Sequence, residues 1–347
     1  MYEGDVHMKV SFDELKNLTW GAVNFAEKED RISFYRFTEE QQELYRKSGN
    51  EGFYKKSFTP AGVRLVFETD SSSLFIRVNF QISTTRSYFS IDVFSNGESV
   101  GSLDNFSDTI KEGPYSAQQF EIGEFSKKFD LGKGDKTVTV YLPWSLKTEI
   151  LDVSVDDGSY VKPVPKPDKK LLVFGDSITQ GYDALRPSNH HIIKISDFLG
   201  TESFNKAIGG EIFIPALAKT DENFVPDYVL VAYGTNDWSN LTFEAYKKNC
   251  KEFFEILSEK YPDAKIFAIT PIWRKDYLEE RQGWKFFDAS SYIEDVADSL
   301  DNVYSINGFG FVPHNENMYA DLYLHPNDEG FKHYADNLIT EIKKYME

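Results

Sequence analysis

Residues 169–179 read Lys-Lys-Leu-Leu-Val-Phe-Gly-Asp-Ser-Ile-Thr. Four consecutive apolar residues, cut off by a glycine, suit a short strand buried on both faces. Two similar runs follow, PDYVLVAY at 226–233 and AKIFAIT at 264–270. Helical periodicity occupies 190–199, 242–261 and 291–300. In 328–346 it places Phe331, Tyr334, Leu338, Ile342 and Tyr345 on one face. Strands alternating with helices predict a parallel α/β sheet. Ligands of such sheets bind beyond the carboxyl ends of the strands, so the residues that end each strand are where chemistry is expected.

Upstream the period changes. The ten residues VKPVPKPDKK (161–170) hold three prolines and four lysines. Proline removes donors and favours extended backbone, which predicts a boundary near Pro165 between domains 1–165 and 166–347. Before it, Ile76, Val78, Phe80 and Ile82 alternate with Arg77, Asn79 and Gln81. Phe89, Ile91 and Val93 repeat the pattern, and Asn96-Gly97 supplies a turn. Further strands are expected at 63–68, 137–142 and 150–155, with one short helix at 37–47. The expectation is an all-β sandwich or jelly roll preceding the α/β domain.

The chain has 347 residues, 41% hydrophobic and 16% aromatic, which is globular material for about two domains. With 38 basic against 56 acidic side chains the net charge is −18. That argues against nucleic-acid partners, which need a basic face, and against docking on anionic lipid. A single cysteine, Cys250, excludes a disulfide framework and a thiolate metal cluster. Closely spaced His/Asp ligand clusters are also missing, so no metal or cofactor is expected. The sequence MYEGDVHMKV at the start lacks a basic flank and an apolar run, so cytoplasmic residence is the default expectation. Oligomeric state is left open.

Four strand-end features converge. Ser177 follows the strand LLVF and a glycine, where the next turn's N–H groups lie close by. Phe204–Glu211 (FNKAIGGE) puts Gly209-Gly210 after a short strand. YGTNDW (233–238) sets Asn236 just past VLVA as a side-chain donor. LHPND (324–328) places His325 before the last helix. A nucleophile, hydrogen-bond donors and a base are what acyl transfer requires.

Those blocks resemble the SGNH (GDSL-type) hydrolase superfamily, in order and over roughly residues 169–347. GDSIT carries the serine of block one, Ser177. Residues 205–210 resemble block two, with Gly210 favoured over Gly209. GTND carries the asparagine of block three, Asn236, and LHPND the histidine of block five, His325. The resemblance implies a flavodoxin-like three-layer fold with Ser177 as nucleophile and His325 as base. It also implies an oxyanion hole from the Ser177 and Gly210 N–H groups and the Asn236 amide. One position departs. The family's acid stands three residues before the histidine, where this chain has Leu322; Asp321 stands four before. Either an irregular loop lets Asp321 orient His325, the reading preferred here, or a backbone carbonyl orients the histidine of a Ser–His dyad. Asp328 is read as a cap for the last helix, and Asp176 as a turn residue.

A β-sandwich before such a domain is similar to the architecture of family-2 carbohydrate esterases. The expected function is a serine esterase that removes acetyl groups from a carbohydrate, an oligosaccharide or small-molecule ester being the partner. The alternatives are a lysophospholipase or thioesterase on the same machinery, or a carbohydrate-binding protein with vestigial catalysis. Trp238, beside Asn236, and Trp273, in PIWRKDYLEERQGWKFF (271–287) with Arg274 and Trp284, are the expected substrate contacts. His314 is a lesser candidate for the site wall, and Trp20 is read as core. His190 and His191 are expected at the surface or as caps, and His7 at a loose terminus.

Overall fold

A computed structural model of the chain describes residues 7–107, 109 and 115–346. The β half contains two antiparallel sheets. The first runs in the order Asn24–Lys28, Arg31–Tyr35, Leu146–Asp156, Ser73–Ile82, Glu124–Asp130. His7–Lys9 pairs with residues 154–156 of the same sheet, so His7 sits in an edge strand rather than a loose terminus. The second runs Val161–Pro163, Arg64–Thr69, Lys136–Tyr141, Ser90–Ser95, Glu98–Asp104, with Thr19–Trp20 beside Arg64–Thr69.

One apolar core joins the two sheets. Ile76, Val78 and Phe80 enter it from the first sheet, as their alternation predicts, and Leu65, Phe67, Ile91, Val93, Val138 and Val140 enter from the second. Ile82 ends its strand and is exposed. Three short helices also belong to this half: Phe12–Leu18, Glu39–Lys47 and Glu51–Lys56. The second is the helix read at 37–47, started by a capping box between Thr38 and Gln41. The other two span 7 and 6 residues, too few to show a period.

The proline-rich segment begins as an edge strand, Val161–Pro163, then leads into Lys169–Gly175. That strand is second in a five-stranded parallel sheet ordered Thr201–Asn205, Lys169–Gly175, Tyr228–Ala232, Lys265–Ile269, Val303–Ile306. In chain order this is 2-1-3-4-5. Leu172, Phe174, Val229, Val231, Ile266 and Ala268 face one side, under Phe243–Lys260 and Phe286–Asp298. Leu171, Val173, Leu230, Phe267 and Ile269 face the other, under His191–Leu199 and Asp328–Lys343. Helices on both faces explain why these strands read as unbroken apolar runs. Where the strand order reverses, between Lys169–Gly175 and Tyr228–Ala232, the carboxyl ends open a crevice.

Candidate active site

The Lys169–Gly175 strand ends in a tight turn into the one-turn helix Ser177–Gln180. Asp176 caps it, its carboxylate accepting the Ile178 N–H at 3.0 Å. Burial pushes that carboxyl up to about 6, against the pull of the Ile178 N–H. A Cβ on Gly175 would lie 2.5 Å from Thr179 Oγ1, so only glycine lets the helix start this close to the strand.

Ser177 Oγ lies 2.9 Å from His325 Nε2, and His325 Nδ1 lies 2.7 Å from Asp321 Oδ2. The four-residue spacing works because Leu322 takes up a left-handed conformation, φ 58°. The loop can then wrap around the carboxylate. Asp321 Oδ1 accepts the N–H groups of Tyr323, Leu324 and His325 at 2.9, 2.8 and 3.1 Å. Burial raises this carboxyl, but the His325 bond and the backbone donors outweigh it and hold it at about 2.

A second carboxylate, absent from the sequence reading, faces the same ring nitrogen. Asp183 Oδ2 lies 3.6 Å from His325 Nδ1. Asp183 is fully buried, in a left-handed conformation at φ 70°. The β half holds it: Arg86 Nε and Nη2 donate at 2.7 and 3.0 Å, Tyr88 donates through its hydroxyl, and Tyr115 Oη donates to the Asp183 carbonyl at 2.6 Å. Nothing local in Gly-Tyr-Asp-Ala could have shown a partner 97 residues upstream. Asp183, Asp321 and His325 bring three metal-ligand atoms within 4.8 Å of one another. Arg86, Tyr88 and the ring itself already satisfy those carboxylates, and the third donor is the nitrogen paired with Asp321.

Residues 205–211 form the opposite wall. Asn205 Nδ2 donates to the Thr179 carbonyl at 2.8 Å and Ile208 N–H to the Gly175 carbonyl at 3.0 Å. Gly209 N–H is taken by Gln180 Oε1 at 2.7 Å. Gly210, at φ 87°, keeps an N–H with no partner among the described residues, as does the Ser177 N–H. Asn236, on the first turn of Thr235–Asn240, uses one amide proton on the Glu211 carbonyl at 3.0 Å and has a second to offer. Asp237 sets that turn by accepting the Phe213 and Gly234 N–H groups, each at 3.1 Å, and burial pushes it up to about 7.

The β half also reaches this loop. Arg36 is fully buried, donating to the Thr59 carbonyl at 2.7 Å, to the Ala207 carbonyl at 3.1 Å and, in a short contact, to the Asn205 carbonyl. Lys56 Nζ donates to the Gly209 carbonyl at 2.6 Å. Tyr45 and Tyr233 donate to the two oxygens of Glu211, each at 2.6 Å, while burial lifts that carboxyl to about 8.

Several expected residues lie elsewhere. Trp238 is fully buried, donating to the Trp284 carbonyl at 3.2 Å with Arg274 and Arg281 over its rings. Its helix turns Asn236 toward the crevice and Trp238 toward the core, so it touches no substrate. Trp273 is 8% exposed and packs on Tyr319 and His314, which leaves little surface for a ligand. Trp284 stacks on Tyr246 in the core, and Arg274 pairs with Asp276. Trp20 is half-buried beneath Arg64. His314 is exposed, tied to the Phe309 carbonyl. His190 and His191 are buried rather than superficial, packed on Phe331, with Tyr334 stacked on His191. Asp328 does not cap the last helix; Asn327 does, accepting from Gly330. Asp328 instead accepts from Leu185 N–H and Asn189 Nδ2 at 2.7 and 3.0 Å.

The sequence pattern of the GDSL-like Lipase/Acylhydrolase family matches residues 173–333. That stretch is therefore a GDSL-like domain of the SGNH superfamily, and the family brings acyl ester hydrolysis as its activity class. A search of curated protein sequences gives no match. Among solved structures, the salicylyl-acyltransferase SsfX3 from a tetracycline biosynthetic pathway superposes with a TM-score of 0.80 at 20% identity, over 98% of each chain. A putative GDSL-like lipase from Bacteroides ovatus gives 0.75 at 18%, over 99% of this chain and 98% of that one. The acetyl xylan esterase Est2A from Butyrivibrio proteoclasticus gives 0.63 at 14%, over 98% of this chain and 99% of that one. At these identities the likeness is one of fold, and it extends through the β half. No helix among the described residues is long and apolar enough to cross a membrane.

Proposed function

We propose that the protein is a serine esterase that removes short acyl groups, acetyl foremost, from carbohydrate hydroxyls. The observation that carries this reading is the unbroken line from Ser177 Oγ to His325 to Asp321, at 2.9 and 2.7 Å. Ser177 attacks the ester carbonyl while His325 Nε2 takes its proton; Asp321 holds Nδ1–H and balances the imidazolium. The tetrahedral oxyanion is received by Ser177 N–H, Gly210 N–H and the second proton of Asn236 Nδ2. His325 then protonates the departing sugar oxygen, and a water that His325 deprotonates releases the acid from the acyl-enzyme. Residues 166–347 carry this chemistry as the catalytic domain, and residues 1–165 form an accessory β-sandwich that closes one side of the site. The carbohydrate assignment draws on the likeness in fold to family-2 carbohydrate esterases and to Est2A.

A second reading has its own support. A TM-score of 0.80 to a salicylyl-acyltransferase favours transfer of the acyl group to an acceptor other than water, through the same acyl-enzyme. Acetate release from acetylated xylan, mannan and peptidoglycan fragments, with regiochemistry by NMR and Ser177→Ala as control, separates these readings. Serine-dependent acetate release supports the esterase. Acyl product that partitions to an added alcohol over water supports the transferase, and rates rising sharply from p-nitrophenyl acetate to octanoate exclude acetyl specificity.

A further inference from the structure

The 209–210 peptide stands between a cation and the place where negative charge develops. Its carbonyl oxygen, on Gly209, accepts from Lys56 Nζ at 2.6 Å. Its N–H, on Gly210, has no partner among the described residues, and the neighbouring Gly209 N–H is tied to Gln180 on the serine's own helix at 2.7 Å. The two ends of one peptide group are conjugated. An ammonium on the oxygen draws electron density from the nitrogen and makes its N–H a stronger donor.

We propose that Lys56, from the β half, is a positioning residue that polarises and orients the Gly209–Gly210 peptide so that Gly210 N–H binds the oxyanion more tightly than a neutral peptide would. This rests on the reading of Gly210 as an oxyanion donor. Lys56 touches neither the nucleophile nor the reacting ester in this arrangement; it acts through Gly210.

Three observations support the assignment. The ammonium is half-buried, and burial lowers its pKa, so its bond to the carbonyl is poorly screened by water. No other hydrogen bond or ion pair of Lys56 Nζ is present among the described residues, although the chain carries 56 acidic side chains. The geometry is also fixed from the far side: Lys56 is the last residue of Glu51–Lys56, whose C-terminal backbone is bonded through the Lys56 carbonyl to Thr59 Oγ1 at 3.0 Å and Arg36 Nη2 at 3.4 Å. Arg36 in turn grips the carbonyls of residues 205 and 207. The carbonyl and the ammonium are thus held on one frame.

The test compares Lys56→Arg, Lys56→Gln and Lys56→Met in the full chain, with Ser177→Ala alongside. Removing an oxyanion donor outright typically costs about 10²–10³ in kcat, and loss of polarisation should be a fraction of that. We expect kcat on p-nitrophenyl acetate to fall about tenfold in Lys56→Met, with KM within twofold. Lys56→Gln, which keeps a neutral donor, should fall between Met and wild type, and Lys56→Arg should retain most activity. Affinity for a trifluoromethyl ketone, which mimics the tetrahedral adduct, should drop by the same factor as kcat. The Gly210 amide proton should shift upfield in the Met and Gln variants. If the Met protein does not fold, the Gln and Arg variants carry the comparison. Wild-type kcat in Lys56→Gln, or an unmoved Gly210 amide resonance, overturns the proposal while leaving the Ser177 mechanism intact. Full activity in Ser177→Ala overturns the mechanism itself.

Discussion

Replacing Asp321 by Asn tests how the histidine is held, because two carboxylates face one nitrogen. Asn keeps an oxygen for the N–H groups of Tyr323, Leu324 and His325, so the loop stays closed. What disappears is a charge 2.7 Å from Nδ1. At an effective dielectric constant of about 20, that charge attracts an imidazolium by about 6 kcal/mol. Asp183, at 3.6 Å, supplies about 5 kcal/mol by the same arithmetic, but Arg86, 2.7 Å from it, cancels much of that field. Losing the acid of an isolated triad costs about 10⁴ in kcat, because the wrong tautomer becomes favoured. With the Asp183 carboxylate still 3.6 Å from Nδ1 and favouring the same tautomer by its charge, the loss in Asp321→Asn should be about 10²–10³, and Asp183→Asn added to it should bring the loss to the full ~10⁴. Stability should fall too. The Asp321 carboxyl is held at about 2 against an ordinary value of 3.8. A depressed carboxylate stabilises the fold above the unfolded value and loses that contribution as pH drops through the folded one, so the term is present at pH 7 and fades between about 4 and 2. Its size is about 2 kcal/mol, readable as a shifted urea midpoint. Stopped assays on p-nitrophenyl acetate at pH 7.5 measure the rates. A loss of about 10⁴ in Asp321→Asn alone would refute the role of Asp183, and no loss at all would leave a Ser–His dyad.

The other predictions concern the supports of the site. Arg36→Met leaves the carbonyls of Thr59, Asn205 and Ala207 without their buried donor, at about 1 kcal/mol or more each. Stability should fall by about 3 kcal/mol and kcat by more than tenfold; unchanged urea midpoint and rate would show that the loop holds itself. His191 lies between Phe331 and Tyr334 with no partner for either ring nitrogen among the described residues, and burial keeps it neutral well below its ordinary 6.5. In the unfolded chain it takes a proton below pH 6.5, so each pH unit below that costs the fold about 1.4 kcal/mol. His191→Phe should therefore stabilise the protein, and its advantage over wild type should grow by about 2 kcal/mol between pH 7.5 and 5.0 in urea titrations; a pH-independent difference would count against it.

The periodic and terminal signals were readable. Unbroken apolar runs ending in Gly175, Ala232 and Ile269 gave the parallel strands, and the residues just beyond them brought Ser177, Asn236 and the Gly209-Gly210 turn to one crevice. Asp321 was legible as a candidate but not its geometry, which depends on Leu322 entering the left-handed region, a conformation a leucine does not announce. For Trp238, adjacency in sequence to Asn236 says nothing of direction: two residues along a helix turn a side chain by about 200°, and the indole is buried. His190 and His191 open a helix as expected, His190 at its N-cap position, but both rings are buried, which no local pattern announces. Asp183, Arg86 and Lys56 had no signal at all. Their partners across the two halves are 68 to 153 residues away, and only the packing of the β half against the crevice brings them there.

That packing bears on how such a chain can be inherited. Arg36, Lys56, Arg86 and Tyr88 all bond directly to residues of the GDSL-like domain, and Gln180 on the serine's own helix donates to the Trp144 carbonyl at 3.0 Å. A recombination event that kept residues 166–347 and exchanged the rest would strand three peptide carbonyls and one aspartate around the nucleophile. The two halves should therefore be inherited together. Gene fragments that separate them should persist only where the incoming partner brings equivalent donors to the same four places.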